Sequence, residues 1–186
     1  MKAIKFVDEF PHSYVLDVAP DLPERTERAI SFSPVHPLAI RSSVFHNIRF
    51  YPEKSDSWIA QFEASGRSGF EDTVLSVPIP DQTCVVSCGT GYWVNVEAKT
   101  AKILDLSLPI TSAGASRKHA LILVSTWRDI VAYRSAEPAW SLPRIADDRL
   151  HISRIENDTA TATGFVNGDH AELKIDLVNG KLLQFQ

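Results

Sequence analysis

No stretch of the sequence approaches the ~18 consecutive apolar residues that a membrane-spanning helix needs. The longest such run, Ala120 to Val124, has the length and character of a strand, and no membrane association is expected. The N-terminus, MKAIKFVDEFPHSYVLDV, carries Lys2 and Lys5 but meets Asp8 and Glu9 before an apolar core of leader length can form. It does not read as a secretory signal, and a cytoplasmic location is the expectation. Basic residues are also in short supply. With 19 Lys and Arg against 23 Asp and Glu, the formal net charge is -4. Nothing then displaces counterions from phosphates, so nucleic-acid binding is not expected. The longest basic cluster, Arg117-Lys118-His119, sits in a Ser/Gly/Ala-rich connection and reads as a solvated turn.

Cysteine is nearly absent: the chain has two, Cys84 and Cys88, in the stretch CVVSC. On one strand they would share a face about 13 Å apart, beyond the roughly 7 Å over which Cα atoms can be bridged. Zinc would need two further ligands at finger-like spacing, which the sequence does not offer, so both read as buried reduced thiols and neither metal nor cofactor is expected. Catalytic signatures are missing as well. There is no Gly-x-Ser-x-Gly elbow, no phosphate-cradling glycine loop and no His-Glu-x-x-His helix. Cys88-Gly89-Thr90-Gly91 lacks the following helix that would present its dipole to a phosphate, and reads as a hairpin turn.

What the sequence has in abundance is strand signal. Its 186 residues, 44% hydrophobic and 23% charged, suit a single all-β domain, with residues 1–56 less regular and residues 57–186 forming a regular hairpin core. β-Branched and aromatic runs recur at Ser13 to Val18, Ser57 to Ala64, Asp72 to Pro78, Thr83 to Cys88, Gly91 to Glu97, Lys102 to Leu106, His119 to Ser125, Asp129 to Tyr133, Arg149 to Ile155 and Glu172 to Leu177. Turn residues separate them at roughly ten-residue intervals, as in antiparallel sandwiches, barrels or propeller blades. In RLHISRI the apolar positions Leu150, Ile152 and Ile155 slip by one, which predicts a bulge or a strand end. In ELKIDL the alternation of Leu173, Ile175 and Leu177 with Lys174 and Asp176 predicts a half-buried strand. One short helix is expected over residues 22–30, opening at Pro23 and Glu24. The prolines from Pro34 to Pro52 predict edge strands or connections there.

Three segments look like copies of one hairpin: VNVEAKTAKIL from Val94, IDLVNGKLL from Ile175, and DIVAYRSAEPAW from Asp129, whose turn is closed by Trp140. By this alignment the first carries two more turn residues than the second. Their spacing is roughly that of one ~40-residue blade. A strand ending "xVDxxTGKxL", or "xVAYxxxxxxW", resembles the outer hairpins of β-propeller repeats of the quinoprotein and WD-repeat kind. The resemblance covers Gly91 to the C-terminus and implies blade-like antiparallel sheets that serve protein or ligand binding, with no residue roles attached. Since too few blades are visible for a closed ring, the expectation is a stack of twisted sheets packed face to face.

Two sets of residues invite functional readings. Asp147, Asp148 and His151, with His170 beyond the Asn167-Gly168-Asp169 hairpin tip, combine bases and carboxylates and are the weak catalytic candidates. The simpler reading gives the aspartates turn hydrogen bonds to the backbone. Large amphipathic rings and arginines, namely Trp93, Trp127, Arg128, Tyr133 and Arg134, are the candidate binding residues, because Trp, Tyr and Arg dominate interface hot spots. The sequence therefore reads first as a non-enzymatic protein-binding module with a protein partner, such as an immunity or inhibitor protein that caps an enzyme. The alternatives are a small hydrolase or ligand-binding enzyme with an Asp/His site between sheets, and a structural, oligomer-forming subunit.

Overall fold

A computed structural model describes residues 4–18, 29–33, 44–64 and 70–185. Its strands are β1 (Lys5–Val7), β2 (Tyr14–Val18), β3 (Ile30–Phe32), β4 (Val44–Pro52), β5 (Trp58–Ala64) and β6 (Thr73–Ser76). They continue as β7 (Gln82–Ser87), β8 (Thr90–Asn95), β9 (Thr100–Ile103), β10 (Ser112–Ser116), β11 (Leu121–Ser125) and β12 (Ile130–Tyr133). The C-terminal set is β13 (Pro138–Leu142), β14 (Asp148–Glu156), β15 (Thr159–Val166), β16 (Asp169–Asp176) and β17 (Lys181–Phe185). The described residues contain no helix; the fold is all-β. The stretch from 19 to 28, where most of the expected helix falls, lies outside the described residues, and Ile30 already belongs to β3.

Four sheets form, each mostly antiparallel: sheet I in the order β2-β4-β5-β3, sheet II as β1-β6-β7-β8-β9, sheet III as β10-β11-β12-β13 and sheet IV as β14-β15-β16-β17. Among the described residues only β1 with β6 and β3 with β5 pair in parallel. Three separate cores glue the sheets together in chain order. Ile48, Phe50 and Phe62 of sheet I meet Val85, Tyr92 and Val94 of sheet II. Leu75, Val86 and Trp93 on the other face of sheet II meet Ile122, Val124 and Tyr133 of sheet III. Leu121, Leu123 and Ala132 then meet Leu150, Leu173 and Ile175 of sheet IV.

This layering explains the burial patterns. Sheets II and III are covered on both faces, so β11 reads LILVS with every residue buried. Tyr92 and Trp93, adjacent on β8, can both be buried because each faces a different core. Sheet IV has a polar outer face, and β16 alternates between exposed and buried residues from His170 to Ile175. The expected bulge in RLHISRI is present: the register of β14 against β15 shifts between Ile152 and Arg154.

The proline rule misleads at β4. This strand lies inside sheet I, between β2 and β5, and only its last residue is a proline. The copied hairpins are closer relatives than their sequences suggest. Asn95 pairs with Thr100, Tyr133 with Pro138 and Asp176 with Lys181, so all three turns hold four residues and the first is not longer. Lys99 and Gly180 occupy the same last turn position, both left-handed, at φ 56° and 63°. Contacts then tie each sheet to the next. Lys102 of β9 pairs with Glu137 in the turn of sheet III, Lys118 and His119 of sheet III both reach Asp158 of sheet IV at 2.8 Å, and Trp140 of β13 packs on Gly180.

Candidate functional site

The hairpins that join β7 to β8 in sheet II and β15 to β16 in sheet IV are two-residue turns with the same backbone. Cys88-Gly89 has φ values of 46° and 82°, and Asn167-Gly168 has 53° and 87°. Both central residues are left-handed, the arrangement of a type I′ turn, which favours Asn-Gly. In each sheet an aspartate immediately before the first main strand caps this turn. Asp72 Oδ1 accepts the Cys88 N–H at 2.6 Å, and Asp147 Oδ2 accepts the Asn167 N–H at 2.6 Å.

Between them, the Thr126-Trp127-Arg128-Asp129 turn of sheet III is pinned from several sides. The Trp127 carbonyl accepts from Leu150 N at 3.1 Å, and the Arg128 carbonyl accepts from Ile145 N at 2.9 Å. Arg128 Nε donates to the Asp147 carbonyl at 2.9 Å. The Trp127 ring stacks on Phe70, 6.1 Å between centroids, and Phe70 in turn packs against Gly89. A continuous row of contacts therefore crosses from Cys88-Gly89 through Phe70, Trp127 and Arg128 to Asp147 and Asn167. Trp127 remains 39% exposed. Beside it, a groove of about 670 Å³ is lined by Asp105, Leu108, Arg128, Asp129, Pro138 and Arg144, among others. Asp129 is held in place, accepting from Arg144 N at 2.8 Å and from Thr126 Oγ1 at 3.1 Å.

The candidate binding residues thus separate. Trp127 and Arg128 share the row just described. Trp93 and Tyr133 are buried in the core between sheets II and III. Arg134 is exposed past the end of β12 opposite to Arg128, roughly 13 Å along the strand from Ile130. β12 is moreover an inner strand, with β10 and β13 at the edges of sheet III, so the candidate binding residues do not line one edge.

The four weak catalytic candidates do not converge. Asp147 caps the Asn167 turn, and Asp148 Oδ1 accepts from Arg149 N at 2.8 Å. His151 is exposed on β14, and His170 is exposed with its ring 5.0 Å from that of Phe165. Among the described residues the one group of three potential metal ligands lies elsewhere: His46, Asp72 and Cys88, with a ligating atom of each within 4.8 Å of the others.

His46 enters this group from β4, where it takes an inward position in series with Ile48 and Phe50. Its Nδ1 lies 2.9 Å from Ser87 Oγ and 3.6 Å from Asp72 Oδ1, and the Ser87 hydroxyl also donates to the Glu63 carbonyl at 3.2 Å. Burial holds the imidazole below its ordinary pKa of 6.5, with the Asp72 carboxylate opposing that shift. Desolvation prevails, so His46 is neutral at pH 7. The unfolded chain therefore takes up the proton first as pH falls, and stability present above pH ~6.5 drains below it. His46→Gln is expected to flatten the pH dependence of the denaturation midpoint between pH 7 and 5; an unchanged slope would exonerate His46.

Cys84 is buried, as the sequence implied, but Cys88 is not: it sits half-exposed in the turn, past the end of β7. The sequence could not assemble this group, because its members come from three hairpins. The available signal was Cys-Gly at a turn position where Asn-Gly is the usual choice. No protein-family model and no curated protein matches the chain.

Proposed function

We propose that this chain is a non-enzymatic protein-binding module that caps a partner in the manner of an immunity or inhibitor protein. In this reading the four sheets are an open run of blade-like repeats, and their central turns present the binding surface. The observation that carries it is Trp127, a large ring left well exposed on a turn that Phe70 and residues 144–150 hold in place. Such a preorganised ring loses little freedom on binding, and Trp beside Arg is the composition of interface hot spots. The adjoining groove, with Arg128 and Arg144 on its walls and the β13 edge alongside, suits an extended segment bearing carboxylates and apolar side chains.

The test is affinity capture from the native host with the tagged full chain and two variants. Wild type and Tyr51→Ala, an exposed ring on sheet I, are expected to retain one stoichiometric protein partner. Trp127→Ala should weaken binding by ~30-fold or more, the loss typical of a hot-spot residue near 2 kcal/mol. Equal recovery with all three baits would remove Trp127 from the interface. A second copy of this chain as the captured species would move the reading to an oligomer-forming subunit, which the exposed Val178, Leu182 and Leu183 at the sheet IV edge would then explain.

A further inference from the structure

We propose that His46, Asp72 and Cys88 form a site for a divalent cation of the zinc class, with three protein ligands and a fourth position left open. The donor set is one imidazole nitrogen, one carboxylate oxygen and one thiol sulfur, a borderline combination that suits zinc or cobalt and disfavours magnesium and calcium. Their ligating atoms lie within 4.8 Å of one another. Zinc bonds of about 2.0–2.3 Å place neighbouring donors roughly 3.5 Å apart, so closure needs a shift of about 1 Å, within reach of side-chain rotation at Asp72 and Cys88.

The molecule supplies its own comparison. The Asn167-Gly168 turn of sheet IV has the same backbone and the same aspartate cap, yet it carries no thiol, and the histidine two residues on, His170, is exposed beside Phe165. Capping therefore accounts for Asp72 Oδ1 and leaves the cysteine unexplained. A non-glycine residue other than Asn or Asp at a left-handed turn position is disfavoured, and such strain concentrates at functional sites. Cys88 accepts that cost at φ 46° and brings its sulfur next to a histidine that is only 4% exposed. A polar ring at an inward position of β4, in line with Ile48 and Phe50, is itself costly unless it has partners.

The surroundings fit coordination. Ser87 Oγ, 2.9 Å from Nδ1 and tied to the Glu63 carbonyl, holds the ring facing Asp72 and gives way when Nδ1 takes the cation. Asp72 keeps its second oxygen for a cation while Oδ1 holds the Cys88 N–H. On binding, the Cys88 thiol becomes a thiolate and its proton passes to the buffer.

Cobalt is the probe of choice. The full-length chain, stripped of metal under reducing conditions, is titrated with Co²⁺ and then with Zn²⁺. The expected result is one Co²⁺ per chain, a thiolate-to-cobalt charge-transfer band in the near ultraviolet, intense tetrahedral d–d bands and displacement by Zn²⁺. Cys88→Asn restores the residue found in the sister turn, so it should fold at least as stably as wild type while losing the band and weakening Zn²⁺ by at least ~100-fold. Cys84→Ser keeps the band. Cobalt bound without a charge-transfer band, no binding at all, or a band that survives Cys88→Asn each overturns the site; the wild-type spectrum and its Cys84→Ser control decide the matter even if Cys88→Asn fails to fold.

Discussion

Gly180→Ala is expected to lower the thermal midpoint by roughly 6–12 °C. Two costs combine. A Cβ at this position would meet the Trp140 ring at 2.5, 2.7 and 2.8 Å, distances that ordinary side chains never adopt. Overpacking of that kind costs about 1–3 kcal/mol. The left-handed backbone, φ 63°, adds about 1 kcal/mol for alanine. Each kcal/mol moves the midpoint of a chain this size by about 2–4 °C. Lys99, the equivalent residue of the sheet II hairpin, bears the same backbone strain. The contact with Trp140 is what sets Gly180 apart. In a Trp140→Ala background the cost of Gly180→Ala should therefore shrink to the strain alone, near 1 kcal/mol. Additive effects of the two substitutions would show that the ring and the turn are not coupled.

Raising the pH to 11 is expected to remove about 5–7 kcal/mol, comparable to the whole stability of many domains. Four interior groups are responsible. Burial pushes the Cys84 thiol from 9.0 up to about 12, and the Tyr14 hydroxyl from 10.0 up to about 12. Burial also drives Tyr92 and Tyr133 upward, helped by neighbouring acidic groups. All four hold their protons longer in the folded chain than in the unfolded one. Their contribution is complete below pH ~9 and drains as pH rises through the ordinary thiol and phenol values toward 12. Denaturant midpoints should fall steeply over this range, and the tyrosinate absorbance of the three buried rings should appear together with the loss of strand circular dichroism. Cys84→Ala should abolish the part of the fall that begins between pH 9 and 10. Tyrosinate from these rings in a chain that keeps its full strand signal would contradict their burial.

Strands whose chemistry matches strand propensity were legible, and those built for close approach were not. β11 and β16 announce themselves with branched residues and clean alternation. β10 reads SAGAS and β15 reads TATATGFV, compositions that resemble connections. Both are strands because neighbouring segments come near them. A Cβ on Gly114 would touch Ile155 Cδ1 at 2.7 Å, and one on Gly164 would lie 3.2 Å from the Ala146 Cβ. Small residues there are a demand of packing that no local pattern records. The same limit applies to the site. Trp127 and Arg128 stand out as binding candidates by type alone, since Trp and Arg are enriched at interface hot spots. Trp93 and Tyr133 could not be told from them, because their burial depends on which face the next sheet covers. Bringing His46 and Asp72 to Cys88 depends on pairing between sheets I and II, for which the sequence offers no spacing rule.

The row of contacts from Cys88 to Asn167 makes the central turns the expected seat of the partner, and hydrogen exchange on the captured complex tests that directly. Protection on binding should concentrate in residues 126–129 and along 138–144, the pinned turn and the wall of its groove, with β17 exchanging as it does in the unbound chain. Protection confined to β17 and the Val178 turn, with residues 126–129 unchanged, would place the partner on the sheet IV edge and contradict the account.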